Sequence, residues 1–186
     1  MNSYLQNFNF SIILTACINP VGMPFLLRNS TNDRLSDYKN AFRKWCNNSL
    51  VQKIIFIENS GYDLTFFVDE AKKFPKKEIE IISNNLNNTF EKKLGKGYGE
   101  FLCLKEVFVN STITKNTEYF LKITGRYYLK NFNKLYYEFK ENKSDIQIYL
   151  KDNLTYADTN IFGGSKNFFI NYVIPHASKT NDTRGV

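Results

Sequence analysis

The chain has 186 residues, 42% hydrophobic and 23% charged, with 17 Phe and 12 Tyr among them. This composition excludes a disordered chain and suffices for one self-supporting core, while the length excludes a large multidomain machine. Lys and Arg number 25 against 18 Asp and Glu, a formal charge of +7 that favours an anionic partner. The positive residues are scattered and form no block or tail, so nucleic acid is not the expected partner. No apolar run approaches the roughly 18 residues that span a bilayer, and the start, Met1-Asn-Ser-Tyr-Leu-Gln-Asn7, lacks a basic signal-peptide head. A cytoplasmic protein is expected, with peripheral contact at the inner face of the membrane left open by the abundant Lys, Phe and Tyr. Cys17, Cys46 and Cys103 form no CxxC and read as buried free thiols in a reducing compartment.

In chain order, residues 10–18 form a first strand too uniformly apolar to have a wet face, stopped by Asn19-Pro20. Ser36 or Asp37 would cap a helix that places Tyr38, Ala41, Phe42 and Trp45 on one stripe. Lys53-Ile-Ile-Phe-Ile-Glu58 is a second buried strand closed by the turn residues Asn59-Ser60-Gly61. A helix over 64–73 ends before Pro75, and 78–82 is a third strand followed by an Asn-rich loop over 83–89. A helix from about Gly99 turns Leu102, Cys103 and Val107 inward, and Tyr119-Phe-Leu-Lys-Ile-Thr124 is a fourth strand. Residues 145–150 read as one more strand, whereas the apolar segment 167–174 has no clear type. Repeated βα units predict an α/β fold: one domain over 1–186, with a mostly parallel central sheet covered by helices on both faces. Ligands of such sheets collect beyond the carboxyl ends of the strands, here 15–19, 58–61, 83–87 and 124–127.

Four constellations carry candidate chemistry. Gly95-Lys96-Gly97-Tyr98-Gly99 permits close backbone approach to a ligand at a helix start, with Lys96 and the turn amides on a phosphate or sugar; the plain alternative is a flexible loop. Its spacing is not that of a P-loop. Lys122 inside an apolar strand is costly unless solvated or paired, and Arg126 just beyond it is a planar fork suited to a diphosphate. The alternative has Lys122 snorkelling and Arg126 on the surface. Asp158, framed by aromatics and glycines over 156–164, is a candidate base or metal ligand on a late loop, or else a turn residue. Glu58 at a strand end would orient a ribose or hydroxyl, and Arg34 with Tyr38 would hold a base and its phosphates. The solitary His176 defines no metal site.

The order of these pieces resembles the small bacterial GT-A-type nucleotide-sugar glycosyltransferases of capsule or lipopolysaccharide synthesis. The resemblance rests on Ile13-Leu-Thr15-Ala16, on 53–58, on Gly95-Lys96-Gly97-Tyr98-Gly99-Glu100 and on Phe120-Leu-Lys-Ile-Thr-Gly-Arg126, and it covers 10–165. It implies a GT-A-like, Rossmann-like nucleotide-binding architecture and a UDP-linked sugar donor with a glycan acceptor. Thr15, Glu58, Lys96 and Gly97 would then lie at the nucleotide, Arg34 at its nucleoside end, and Lys122 and Arg126 at the leaving diphosphate, with Asp158 as base. Where such enzymes carry an Asp-x-Asp metal motif this chain has Thr124-Gly125-Arg126, which puts a manganese or magnesium ion in doubt. Such domains are commonly longer, so the catalytic unit is expected to be incomplete at its carboxyl end. The rival expectation is a non-catalytic basic module that binds nucleic acid or an anionic glycan.

Overall fold

A computed structural model describes residues 8–23, 26–151 and 156–180 of the chain. Its elements are β1 (Phe10–Ala16), α1 (Thr31–Asn47), β2 (Lys53–Glu58), α2 (Thr65–Ala71), β3 (Glu78–Ser83), α3 (Gly95–Asn110), α4 (Thr112–Lys115), β4 (Tyr119–Thr124), α5 (Phe132–Glu141), β5 (Ile146–Lys151), β6 (Tyr156–Ser165) and α6 (Lys166–Phe168). A π turn at Phe169–Val173 and a 3-10 helix at Ile174–Lys179 follow α6.

The six strands form one sheet in the order β3-β2-β1-β4-β6-β5. β1 to β4 run parallel, and β6 runs antiparallel to both β4 and β5. The expected mostly parallel α/β architecture, Rossmann-like and GT-A-like, is the one observed. Chain connections leave β1 in one direction for β2 and β3 and return on its other side for β4, so the topological switch point lies between β1 and β4.

Strand alternation divides the core into two layers. Phe10, Ile12 and Leu14 of β1 join Ile54 and Phe56 of β2 under α1, α2 and α5, against Phe42, Trp45, Phe67 and Phe139. Ile13, Ile55, Ile57 and Phe120 face Cys103, Leu104 and Val107 of α3, together with Phe162 and Phe169. Burial on both faces is the reason β1 and β2 read as unbroken apolar runs. Among the described residues no helix is long and apolar enough to cross a membrane.

Several local expectations are corrected. α1 starts at Thr31 because the Ser30 hydroxyl accepts the Asp33 N–H at 3.3 Å, which makes Ser30 the cap. α3 begins at Gly95, four residues before Gly99. The stretch expected as a late loop is β6, which pairs on both sides, and residues 132–141, for which the pattern offered nothing, form α5. The apolar segment 167–174 is short helical turns. The chain end at 181–186, where no closing helix was expected, lies outside the described residues.

β6 reaches its place only because it carries Gly163. A Cβ there would stand 2.3 Å from the Phe120 carbonyl oxygen and 3.1 Å from the Leu121 Cα, both of them backbone atoms of β4 that pair with β6. Gly163→Ala is therefore expected to destabilise the chain by about 1–3 kcal/mol or more in denaturant unfolding, as overpacking against a fixed backbone does. An unchanged midpoint would contradict the observed β4–β6 register.

Candidate functional site

The loops beyond β1 and β2 are organised by one buried carboxylate. Glu58 is fully buried, and its two oxygens accept the backbone N–H groups of Ile18 at 2.9 Å, Ser60 at 3.0 Å and Tyr62 at 3.0 Å, as well as the Ser60 hydroxyl. A carboxylate with this many donors holds the two loops together, and the structure therefore corrects its expected contact with a ribose. Arg34 is also turned inward. Its guanidinium donates to the carbonyls of Cys17 at 2.8 Å and Arg28 at 3.0 Å and to the Tyr38 hydroxyl at 3.1 Å. That hydroxyl accepts the Cys17 N–H at 3.1 Å, so Arg34 and Tyr38 fasten the β1–α1 loop to α1. Burial pushes the Cys17 thiol up to about 12, which leaves it protonated and a poor nucleophile.

Lys122 lies on the α3 side of β4, beside Ile13 of β1, and is 0% exposed. The cost of burying an ammonium there is offset by Glu100, in the second turn of α3, with which it forms an ion pair. It also donates to the Thr159 carbonyl at 2.5 Å and to the Thr124 hydroxyl at 3.3 Å. The Thr124 hydroxyl donates to Glu100 Oε1 at 3.0 Å, and Thr15 Oγ1 stands 3.5 Å from the same oxygen. Burial pushes the Lys122 ammonium below the usual lysine range, although the Glu100 carboxylate pulls it the other way. Lys122 is thus a tie between sheet and helix, and its expected place facing a departing diphosphate is corrected.

The remaining expected residues stand at the rim. Gly125 lets the chain leave β4 close to β1: its N–H donates to the Thr15 carbonyl at 2.8 Å, and a Cβ would meet that carbonyl oxygen at 3.1 Å. Arg126 follows, with its guanidinium carbon 4.9 Å from the centre of the Tyr127 ring. Its Nε is buried without a partner, whereas Lys122 is held by Glu100 inside the sheet. Lys96 and Gly97 occupy the first turn of α3, and Gly97 faces Thr159 of β6. Asp158 pairs with Lys151 at 3.3 Å and accepts the Asn160 N–H at 2.9 Å. Partial burial pushes its carboxyl up, but the Asn160 N–H and the Lys151 ammonium outweigh that and hold it below the usual range. The carboxylate is thus ionised and shared with Lys151.

Six buried side-chain polar atoms among the described residues have no hydrogen-bond partner, and five of them belong to this rim. They are Asn59 Oδ1 after β2, Asn84 Nδ2 and Asn87 Oδ1 after β3, Glu100 Oε2, and Arg126 Nε after β4. Asn59 is 7% and Asn87 1% exposed. Each such group costs about 1–3 kcal/mol unless something bonds to it. An open cavity of about 320 Å³ is lined by Asn19, Pro20, Val21, Met23, Leu26 and Asn29 of the β1–α1 loop. The sequence marks the loop after β3 as Asn-rich, with four Asn in 84–88 directly after a parallel strand, but assigns none of them a role. Among the described residues, no three His, Cys, Asp or Glu side chains gather where they would hold a metal ion.

No family model matches the chain, and no curated protein is similar to it. Solved structures share its fold. The inositol-1-phosphate CTP transferase from T. maritima is 16% identical over 89% of this chain and 74% of its own, with a TM-score of 0.49. The 4-diphosphocytidyl-2C-methyl-D-erythritol synthase from Anaerococcus prevotii DSM 20548 is 14% identical over 96% and 78%, with a TM-score of 0.49. Mouse xyloside xylosyltransferase 1 is 8% identical over 90% and 71%, with a TM-score of 0.48. The assignment to the nucleotide-sugar glycosyltransferases is corrected: most of the similar structures are named as cytidylyl- or CTP transferases, and at this similarity they show the fold alone. With it fall the UDP-linked donor, the glycan acceptor and the capsule or lipopolysaccharide role.

Lys122→Met is expected to cost about 3–5 kcal/mol, because it leaves Glu100 without its partner, while Lys122→Met combined with Glu100→Leu recovers most of that loss. The folded pKa of Lys122 lies below its unfolded value near 10.4, so the unfolded chain binds more protons between the two. Stability attributable to this residue therefore rises with pH through that window, and the rise is absent from Lys122→Met. Urea unfolding at a series of alkaline pH values checks both statements.

Proposed function

We propose that the chain is a nucleotidylyltransferase that joins a nucleoside triphosphate, CTP in the first instance, to a phosphorylated sugar or polyol and releases pyrophosphate. The observation that carries this reading is the set of five unpaired polar atoms at the carboxyl edge of the parallel strands. Two amide oxygens and an amide nitrogen, from Asn59, Asn87 and Asn84, suit a nucleobase that offers both donors and acceptors. The exocyclic amino group of cytosine is a donor for either oxygen. Arg126, with Nε unpaired at the switch point, and the amides at the start of α3 beside Lys96 and Gly97 suit the phosphates. Magnesium arrives with the triphosphate as part of the substrate.

The chemistry fits the groups present. A phosphate oxygen of the second substrate forms a bond to the α-phosphorus, the bond from that phosphorus to the β-bridging oxygen breaks, and pyrophosphate leaves with the electron pair. A phosphate nucleophile is already ionised near neutral pH, so the step needs no general base. A hydroxyl acceptor would need one, and the carboxylate singled out for that role, Asp158, is shared with Lys151. Arg126 then acts on the charge that develops on the phosphoryl oxygens.

Nucleoside triphosphates with magnesium are expected to raise the melting temperature, by the equivalent of about 2.7 kcal/mol at a hundred times Kd. UDP-sugars are expected to leave it unchanged. Pyrophosphate release from CTP should depend on an added sugar or polyol phosphate. Arg126→Gln is expected to keep the wild-type melting temperature and to lose about 10²-fold or more in that turnover. Wild-type turnover in Arg126→Gln removes its assigned role. Stabilisation by nucleotide sugars in place of triphosphates removes the proposal.

A further inference from the structure

The two edges of the sheet differ. At one edge β3 carries Glu78 and Glu80, and Glu80 is tied to Ser111 and to the backbone N–H of Thr112 at 2.8 Å. Charged side chains of this kind discourage further strand pairing. At the other edge β5 reads Ile146-Gln-Ile-Tyr-Leu-Lys151, with one charge at its end. Ile146 is 41%, Tyr149 65% and Leu150 39% exposed. Its inner side pairs with β6, and its outer side has no neighbour among the described residues.

We propose that β5 pairs antiparallel with β5 of a second copy of this chain, about a two-fold axis at Ile148, to form a twelve-stranded sheet. The sequence of the strand selects that register. Centred on Ile148, the pairing sets Ile146 opposite Leu150 and Ile148 opposite its own copy. All of these lie on the face where Ile148 already joins Phe162 and Phe169. On the other face it sets Asp145, the residue just before β5, opposite Lys151 twice, once on each side of the axis, where Lys151 also keeps its own chain's Asp158 as a partner, and it sets Gln147 opposite Tyr149. Opposite charges directly across an antiparallel pair are favourable and like charges unfavourable. A slip of one residue sets Ile146 against Lys151 and Gln147 against Leu150, and forfeits both the apolar ladder and the ion pairs.

The test is sedimentation equilibrium of the intact chain. The wild type is expected to form dimers that dissociate on dilution. Asp145→Lys places Lys opposite Lys at both ends of the pairing, and Lys151→Glu places Glu opposite Asp. Each is expected to weaken self-association by at least about tenfold. Mixing the two variants restores opposite charges at both positions, and the mixture is expected to form a heterodimer of wild-type affinity. Misfolding cannot produce that rescue, and both residues stand outside the proposed nucleotide site, so nucleotide binding by either variant is expected to be unchanged. A wild type that stays monomeric at all concentrations overturns the proposal, as does a dimer indifferent to both substitutions and to mixing.

Discussion

A lysine ammonium buried in the centre of the sheet governs the geometry around it. Lys122 has no solvent, and an isolated charge in that position would cost several kcal/mol. Glu100 must therefore descend from α3 to meet it, which fixes the first turns of that helix above the ends of β1 and β4. Thr159 of β6 supplies a second acceptor. It lies in a stretch of β6 that passes from Asp158 to Phe162 while β5 advances only from Tyr149 back to Ile148, so the strand bulges toward the helix. One charge thus brings the glycine-rich helix start, the switch point and the last strand into contact.

A second buried charge does the same on the other side of the rim. Glu58 closes the loops after β1 and β2 around its carboxylate, and Arg34 fixes the first of them from α1. Between these two fastened regions lie polar atoms with nothing to bond, those of Asn59, Asn84, Asn87, Glu100 and Arg126. The paired charges build the walls, and three amides, one arginine and the second oxygen of Glu100 are the groups left without a partner. That division of labour is the ground on which recognition of a nucleotide, with its polar base edge and its phosphates, is proposed.

Much of the fold was legible because burial on both faces makes parallel strands read as apolar runs, as in 10–16 and 53–58. β6 was hidden because Gly163 and Gly164 are loop residues by composition; here they admit the close approach of neighbouring backbone. The start of α3 was hidden for the same reason, since three glycines in five positions suggest a turn before a helix. At the site, Lys122 was singled out as a charge that needs solvent or a partner and Glu58 as a strand-end carboxylate for a ribose or hydroxyl, but a single sequence does not say whether the partner is a ligand or another residue. Glu100, 22 positions before Lys122, is that partner. The Asn-rich loop after β3 was legible as polar and at the rim, but which of its amides go unpaired is a property of the folded loops.

The most direct test of this account is the side-chain amide spectrum of the ¹⁵N-labelled chain as magnesium CTP is added. The account predicts that the amide signals of Asn59, Asn84 and Asn87 move together and saturate at one nucleotide per chain, while that of Asn47, bonded to Arg43 on the outside of α1, stays in place. Saturable binding that leaves those three signals where they were would contradict it.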